Sequence, residues 1–265
     1  MFNLAEPKSR HKALTRNTFC IVVFVLLLVG ATTANAGERR FTFTYEAATH
    51  APGDVEYEQW ITWKTDKDTD SAFDRIDVRH ELEFGITDDF QLALYLSDWR
   101  YQRGSSVGDG TEWRDVAIEL MYNISDPATE SIGFTLYGEL KIGDELLELE
   151  GKIIAQKNFG KWVFAYNATI EAEWEGSNYS EDKGEFQQTL GGSYQFSPKI
   201  FAGFELLHEI EYDDWDTWGD HLLYAGPNAS YRADQWWVTV TPLFQLTDSE
   251  SEANFQLRLI FGIDF

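Results

Sequence analysis

Asn254 to Phe265, at the end of the chain, read N-F-Q-L-R-L-I-F-G-I-D-F. Phe255, Leu257, Leu259, Phe261, Ile263 and Phe265 fall on one parity. Gln256, Arg258, Gly262 and Asp264 fall on the other, with Ile260 the single exception. Successive side chains of a strand point to opposite faces, so this segment has one apolar and one polar face. A strand of a transmembrane barrel must show lipid an unbroken apolar row, and this one does so up to a terminal aromatic.

Working backwards, the same alternation recurs in segments of about ten to thirteen residues separated by turn-rich breaks. In 71–86, Ile76, Val78, Leu82, Phe84 and Ile86 oppose Arg75, Asp77, Arg79, Glu81 and Glu83. In 145–156, Leu147, Leu149 and Ile153 oppose Glu148, Glu150 and Lys152. In 162–174, Phe164, Tyr166 and Ile170 oppose Asn167, Glu171 and Glu173; in 200–212, Phe204 and Leu206 oppose Glu205 and Glu209. Segments 55–65, 90–101, 112–122, 131–142, 185–196, 220–231, 236–246 and 254–265 bring the count to twelve. Pro227 and Pro242 each remove a ladder donor and predict a bulge or bend. The breaks alternate as well: Thr87–Asp89, Lys157–Lys161, Ser197–Lys199 and Arg232–Gln235 are short. Gln102–Thr111, Glu175–Gly184, Asp213–Gly219 and Thr247–Ala253 are longer and mostly acidic. Short periplasmic turns and longer outer loops belong to a membrane barrel. Trp60, Trp63, Trp99, Tyr101, Trp113, Tyr122, Trp162, Trp174, Tyr212, Tyr231, Trp236 and Trp237 gather near segment ends, as two girdles at headgroup level would require. A soluble sandwich packs its inner faces into an apolar core, whereas here the face opposite the apolar one is charged.

The sequence thus predicts an all-β fold, a transmembrane antiparallel up-and-down barrel of about twelve strands over residues 55–265. At the other end, Lys8, Arg10, Lys12 and Arg16 precede an apolar run from Phe19 to Val29 and the small-residue end Ala34-Asn35-Ala36. This is the pattern of a secretory signal peptide over 1–36, cut before Gly37. The run is too short to span a bilayer, which needs about 20 residues. Residues 37–54 lie between signal and barrel. Their short alternating piece, 39–48, suits a periplasmic extension, a plug inside the barrel, or one strand of a fourteen-strand barrel.

Composition limits function. Removing four bases and one acid from the chain's 21 Lys+Arg and 45 Asp+Glu leaves 17 against 44, a formal charge of −27. Such a chain repels a phosphate backbone, so nucleic acid is excluded as a partner. Its one cysteine, Cys20, leaves with the signal, so the mature chain holds no disulfide. The inward parity is rich in acids: Glu81, Glu83, Glu119, Glu148, Glu150, Glu171, Glu173, Glu205 and Glu209 are lumen-lining candidates, with Arg75, Arg79 and Arg258 among the fewer bases. Carboxylate-lined pores favour cations. The expected function is an outer-membrane channel for small solutes with a preference for cations; the alternative is a structural or surface-interaction barrel. An outer-membrane lipid hydrolase would carry Ser two residues after a strand His. His50, His80, His208 and His221 have Pro52, Leu82, Ile210 and Leu223 there, so no enzyme and no cofactor are expected.

Asp66, Asp68 and Asp70 have the D-x-D-x-D spacing of an EF-hand loop. Ser71 stands where glycine is needed, however, and Asp77 where a bidentate Glu is usual. Flanked by strands, this reads as a solvated acidic hairpin meeting lipopolysaccharide through shared Mg²⁺ or Ca²⁺. Dedicated metal ligation is the weaker reading, and the same holds for His80 and His208 on apolar parities.

The strings H-E-L-E-F-G-I-T-D-D-F-Q-L-A-L-Y-L (80–96), G-G-S-Y-Q-F-S-P-K-I-F-A-G-F-E-L (191–206) and A-G-P-N-A-S-Y-R-A-D-Q-W-W-V-T-V-T-P (225–242) resemble proteobacterial outer-membrane barrels. Those barrels are grouped with transport proteins of phenol-degradation (MetA-pathway-like) operons. The final strand resembles the closing strand of such barrels, whose C-terminal Phe is read by the assembly machinery; Phe265 would be that signal. The resemblance implies a barrel in the outer membrane of a Gram-negative bacterium, with the lipid bilayer and lipopolysaccharide as surroundings, passage of small molecules and no catalytic residues.

Overall fold

The structure, a computed structural model, describes residues 39–179, 181–213, 215 and 217–265. Residues 1–36, expected to be a signal peptide, lie outside the described residues. Thirteen strands follow: β1 (Val55–Lys67), β2 (Asp70–Thr87), β3 (Phe90–Arg103), β4 (Gly110–Trp113), β5 (Asp115–Ser125), β6 (Gly133–Gly143) and β7 (Leu146–Phe159). The remainder are β8 (Trp162–Glu175), β9 (Glu181–Ser197), β10 (Ile200–Asp213), β11 (Thr217–Arg232), β12 (Trp236–Gln245) and β13 (Ala253–Asp264).

Consecutive strands pair antiparallel, and β1 pairs with both β2 and β13, closing the sheet. Twelve strands make the wall. The short β4 pairs only with the outer end of β3, and β5 takes over that pairing below Arg114. The alternation in 112–122 therefore spans two pieces of one broken strand. Closure by β1 and β13 leaves no place for residues 39–48 in the wall. They form no strand, and the fourteen-strand arrangement does not occur.

Between neighbouring wall strands the short turns Asp88–Asp89, Gly160–Lys161 and Pro198–Lys199 lie at the end where β1 begins and β13 finishes. Gly160 takes φ +60°, a conformation that costs other residues a Cβ clash. At the opposite end β9 and β11 begin at Glu181 and Thr217, earlier than the alternation suggested. The ladder continues into water where no apolar row is needed, so the breaks after β8 and β10 are extended hairpins more than loops. Pro227 and Pro242 lie in the β11–β12 seam, where pairing is interrupted between Ala225↔Phe244 and Ala229↔Val240 without a change of register. The missing donors remove hydrogen bonds there but insert no residue.

The two faces are those of a membrane barrel. Outward residues such as Leu136, Ile153 and Ile170 are exposed, the last two by 55% and 54%, while the inward Glu81, Glu119 and Glu205 are fully buried. A soluble protein would show the reverse. The apolar belt faces lipid, and the fold is that of an outer-membrane barrel. Trp63, Trp99, Trp113, Tyr122, Trp162 and Trp236 stand exposed at its margins. Trp60 and Trp237 do not belong to these girdles, since both point inward and are buried.

Candidate functional site

Residues 39–50 run inside the barrel, and their backbone is satisfied by side chains of the wall. Phe41, Thr42, Thr44 and Ala47 are fully buried. Glu205 on β10 accepts the backbone N–H groups of Thr42 (2.8 Å), Phe43 (2.7 Å) and Thr44 (2.9 Å), together with the hydroxyl of Thr241. Asn167 on β8 brackets Tyr45, accepting its N–H at 2.6 Å and donating to its carbonyl at 3.0 Å. Gln156 accepts the N–H of Ala47, Asn123 donates to the Ala47 carbonyl, and Gln91 accepts the N–H of His50. Asn228 donates to Arg40 O and Thr239 to Arg39 O. Buried backbone groups must find partners. Here one carboxylate and a set of amides supply them, in the role a neighbouring strand would otherwise play.

The side chains of the segment alternate into apolar recesses of the wall. Phe41 joins Val163 and Ala165; Phe43 joins Leu207, Leu222, Tyr224 and Leu243; Tyr45 joins Trp60, Met121, Tyr137, Ile154 and Ile260. A Cβ on Gly191 would lie 2.6 Å from the Phe41 ring, so only glycine lets that ring seat. The inward exception in the closing strand, Ile260, is thereby explained: it packs against this filling and not against water. Arg39 lies 4.2 Å over the Tyr45 ring and 4.4 Å over that of Trp60, while Arg258 lies 4.0 Å over Phe43. Desolvated cation–π contacts of this kind contribute about 2 kcal/mol.

Above the segment, toward the extended hairpins, is a vestibule of about 340 Å³. The sequence candidates Arg75, Arg79, Glu148, Glu150, Glu171, Glu173, Glu209 and Arg258 all line it. Lys64, Arg100 and Arg114 also point there, and the lining holds ten carboxylates against eight Lys or Arg. That is closer to balance than the inward parity suggested. Most of these charges are paired. Asp77 meets Arg75 and Arg100, Asp98 meets Arg79, Lys141 bridges Glu139 and Glu148, and Lys152 meets Glu150. Glu171, Glu185 and Glu209 have no cation within ion-pair distance among the described residues.

Below, where the barrel strands begin and end, Glu56, Glu58, Glu81 and Glu83 form a patch. Trp237 donates to Glu56 and Trp60 to Glu58, through indole N–H groups at 3.0 Å and 2.6 Å. The His50 ring lies 2.5 Å from Glu83. Glu119, on β5 beyond β3, accepts from the Tyr95 hydroxyl.

Other sequence candidates are not brought together. Asp68 accepts from Asn254, and Asp70 accepts from the N–H groups of Ala72 and Ser106, pinning the hairpin after β3. Asp66, Asp68 and Asp70 form no cluster capable of holding an ion, because strand pairing spreads them along a hairpin. His80 hydrogen-bonds Tyr57 and His208 hydrogen-bonds His221, both pairs on the outward face. Sequence reasoning missed the amides that hold the segment. Gln91 and Asn167 were legible as inward polar residues, but nothing local marked them as partners for backbone 40 to 120 residues away.

The chain belongs to a family of unknown function, DUF6662, whose sequence profile matches residues 33–257. No curated protein matches it by sequence. In fold it is similar to the COG4313 outer membrane channel from Pseudomonas putida F1, at 15% identity and a TM-score of 0.62, covering 85% of this chain and 100% of that one. It is also similar to the NanC porin, at 6% identity and a TM-score of 0.54, covering 79% of this chain and 98% of that one. At these identities the likeness is one of fold.

Proposed function

We propose that the chain is a small-solute channel of the outer membrane, cation-preferring, with residues 39–50 acting as its plug. The observation that carries this reading is how the segment is fastened. A strand added to the wall would be held by a ladder and would be permanent. This segment is held by side chains of the wall and not by a strand ladder, so its release would leave the barrel's own ladders intact. The fold likeness to a COG4313 outer membrane channel and to the NanC porin supports a passage role. The resemblance to transport proteins of phenol-degradation operons accords with small solutes as cargo.

Cation preference follows from the charges that remain after pairing. Asp115, Glu171, Glu185 and Glu209 face the vestibule without a salt-bridge partner among the described residues, against Lys64 and Arg258. Their field concentrates cations at low ionic strength and is screened over a Debye length of about 8 Å in physiological salt. The test is a reversal-potential measurement in planar bilayers under a KCl gradient. The expected potential has the sign of cation selectivity, shrinks as salt rises, and moves toward zero when the three glutamates are changed to Gln. Anion selectivity of the unaltered barrel would refute the preference.

A further inference from the structure

The carboxylate patch at the base of the lumen has one member whose charge nothing satisfies. In the β1–β2 ladder Glu58 lies opposite Glu81 and Glu56 opposite Glu83, so four carboxylates occupy adjacent positions on one face. Like charges directly opposite each other destabilise a sheet. Three of the four have answers: Glu56 and Glu58 take indole N–H groups, Arg39 adds a salt bridge to Glu58 at 3.6 Å, and His50 meets Glu83. Glu81 is fully buried, and both of its carboxylate oxygens lack any hydrogen-bond partner. An ionised carboxylate in that state costs several kcal/mol, so Glu81 either carries a proton or faces a cation.

We propose that Glu58, Glu81 and Glu83 hold a divalent cation, calcium, between the barrel wall and the N-terminal segment. One oxygen from each of the three lies within 4.8 Å of the others, the largest separation two ligands can have across an ion they bind at about 2.4 Å. The contacts already made leave room for it. Trp60 and Arg39 both address Oε2 of Glu58, and His50 addresses Oε2 of Glu83. Free for an ion are Oε1 of Glu58, Oε1 of Glu83 and both oxygens of Glu81. An all-carboxylate oxygen set suits a hard cation, and calcium completes its six to eight ligands with water. An adjoining cavity of about 70 Å³, lined by His50, Glu58 and Glu83, has space for such waters. Magnesium demands a tighter octahedron and gives up water reluctantly, which argues against it here.

The ion would neutralise carboxylate charge that Arg39 and the His50 ring do not balance. Both residues belong to the segment inside the lumen, so the same carboxylates that hold the ion also hold the plug. The site does not depend on whether the lumen conducts.

The test uses the full mature barrel, purified in detergent, stripped with chelator and titrated with CaCl2 by calorimetry. One calcium per chain is expected. Glu81→Gln should weaken binding by about a hundredfold or more, since even loss of an outer-shell partner costs 10–100-fold at metal sites. Asp68→Ala, in the outer hairpin, should leave binding unchanged. Should the Glu81 variant fail to assemble, terbium on the unaltered protein answers the question. Its emission under tryptophan excitation, sensitised by Trp60 beside Glu58, should be displaced by calcium and not by equal magnesium. The proposal is overturned by the absence of stoichiometric calcium binding, by binding that survives Glu81→Gln, by binding lost in Asp68→Ala, or by displacement with magnesium as effective as with calcium.

Discussion

Replacing Glu205 by Gln should release the N-terminal segment while leaving the barrel closed. Glu205 is fully buried and accepts three consecutive backbone N–H groups, two on Oε2 and one on Oε1, where Thr241 also donates. The amide keeps the shape but turns one acceptor into a donor. Whichever way it flips, at least one backbone N–H of the segment faces another N–H. Hydrogen bonds to charged groups contribute about 1.5–3 kcal/mol, and a buried donor left unsatisfied costs about 1–3 kcal/mol. A loss of about 3 kcal/mol in docking corresponds to roughly a hundredfold rise in the undocked fraction. The wall itself should not suffer, because the β9–β10 and β10–β11 ladders run through Glu205 by its backbone. The assay is the rate of maleimide labelling at Thr44→Cys. Thr44 is fully buried and its hydroxyl has no partner, so the probe itself perturbs little. The labelling rate tracks the undocked fraction and should rise by about two orders of magnitude in the double variant. An increase below about threefold, in barrels that still show heat-modifiable migration, would mean that Glu205 does not hold the segment and would refute the reasoning.

Gly191→Val should displace Phe41, because a Cβ there meets the ring at 2.6 Å; raised single-channel conductance in folded barrels is the expected readout. Deleting Phe265, whose N–H donates to Val55 O at 2.9 Å where the barrel closes, should reduce the yield of heat-modifiable barrel; normal yield would remove the assembly role given to the terminus. Lys141→Gln frees Glu139 and Glu148 from their shared cation and should shift the reversal potential further toward that of a cation-selective pore.

The wall was legible because a membrane barrel writes itself as period-two alternation, and the seam between Phe265 and Val55 closes as the final strand's apolar row implied. The contents of the lumen were less legible. Residues 39–48 alternate like a strand, yet no local pattern separates a strand bonded to a wall from one bonded to side chains within it. The signal that existed lay elsewhere, in apolar residues on the inward parity. Ile154, Leu207 and Ile260 would be out of place against water, and each packs on Tyr45 or Phe43. Parity also miscounted charge. Proximity to segment ends suggests Trp60 and Trp237 for the girdles, although both hold carboxylates inside, and the inward set read from alternation lacks Lys64, Arg100 and Arg114. Arg100 follows the irregularity between His80 and Glu81, where β3 carries an extra residue and alternation loses track of which face is which, and Arg114 lies between β4 and β5.

If residues 39–50 close the lumen as a plug, removing them opens it. Planar-bilayer conductance of the mature chain, compared with the same chain lacking residues 39–50, tests it most directly. Small or infrequent conductance is expected for the intact barrel and a large, steady, cation-selective conductance for the shortened one, both with heat-modifiable migration. Equal conductance in the two folded proteins, or none in either, would contradict closure by the segment.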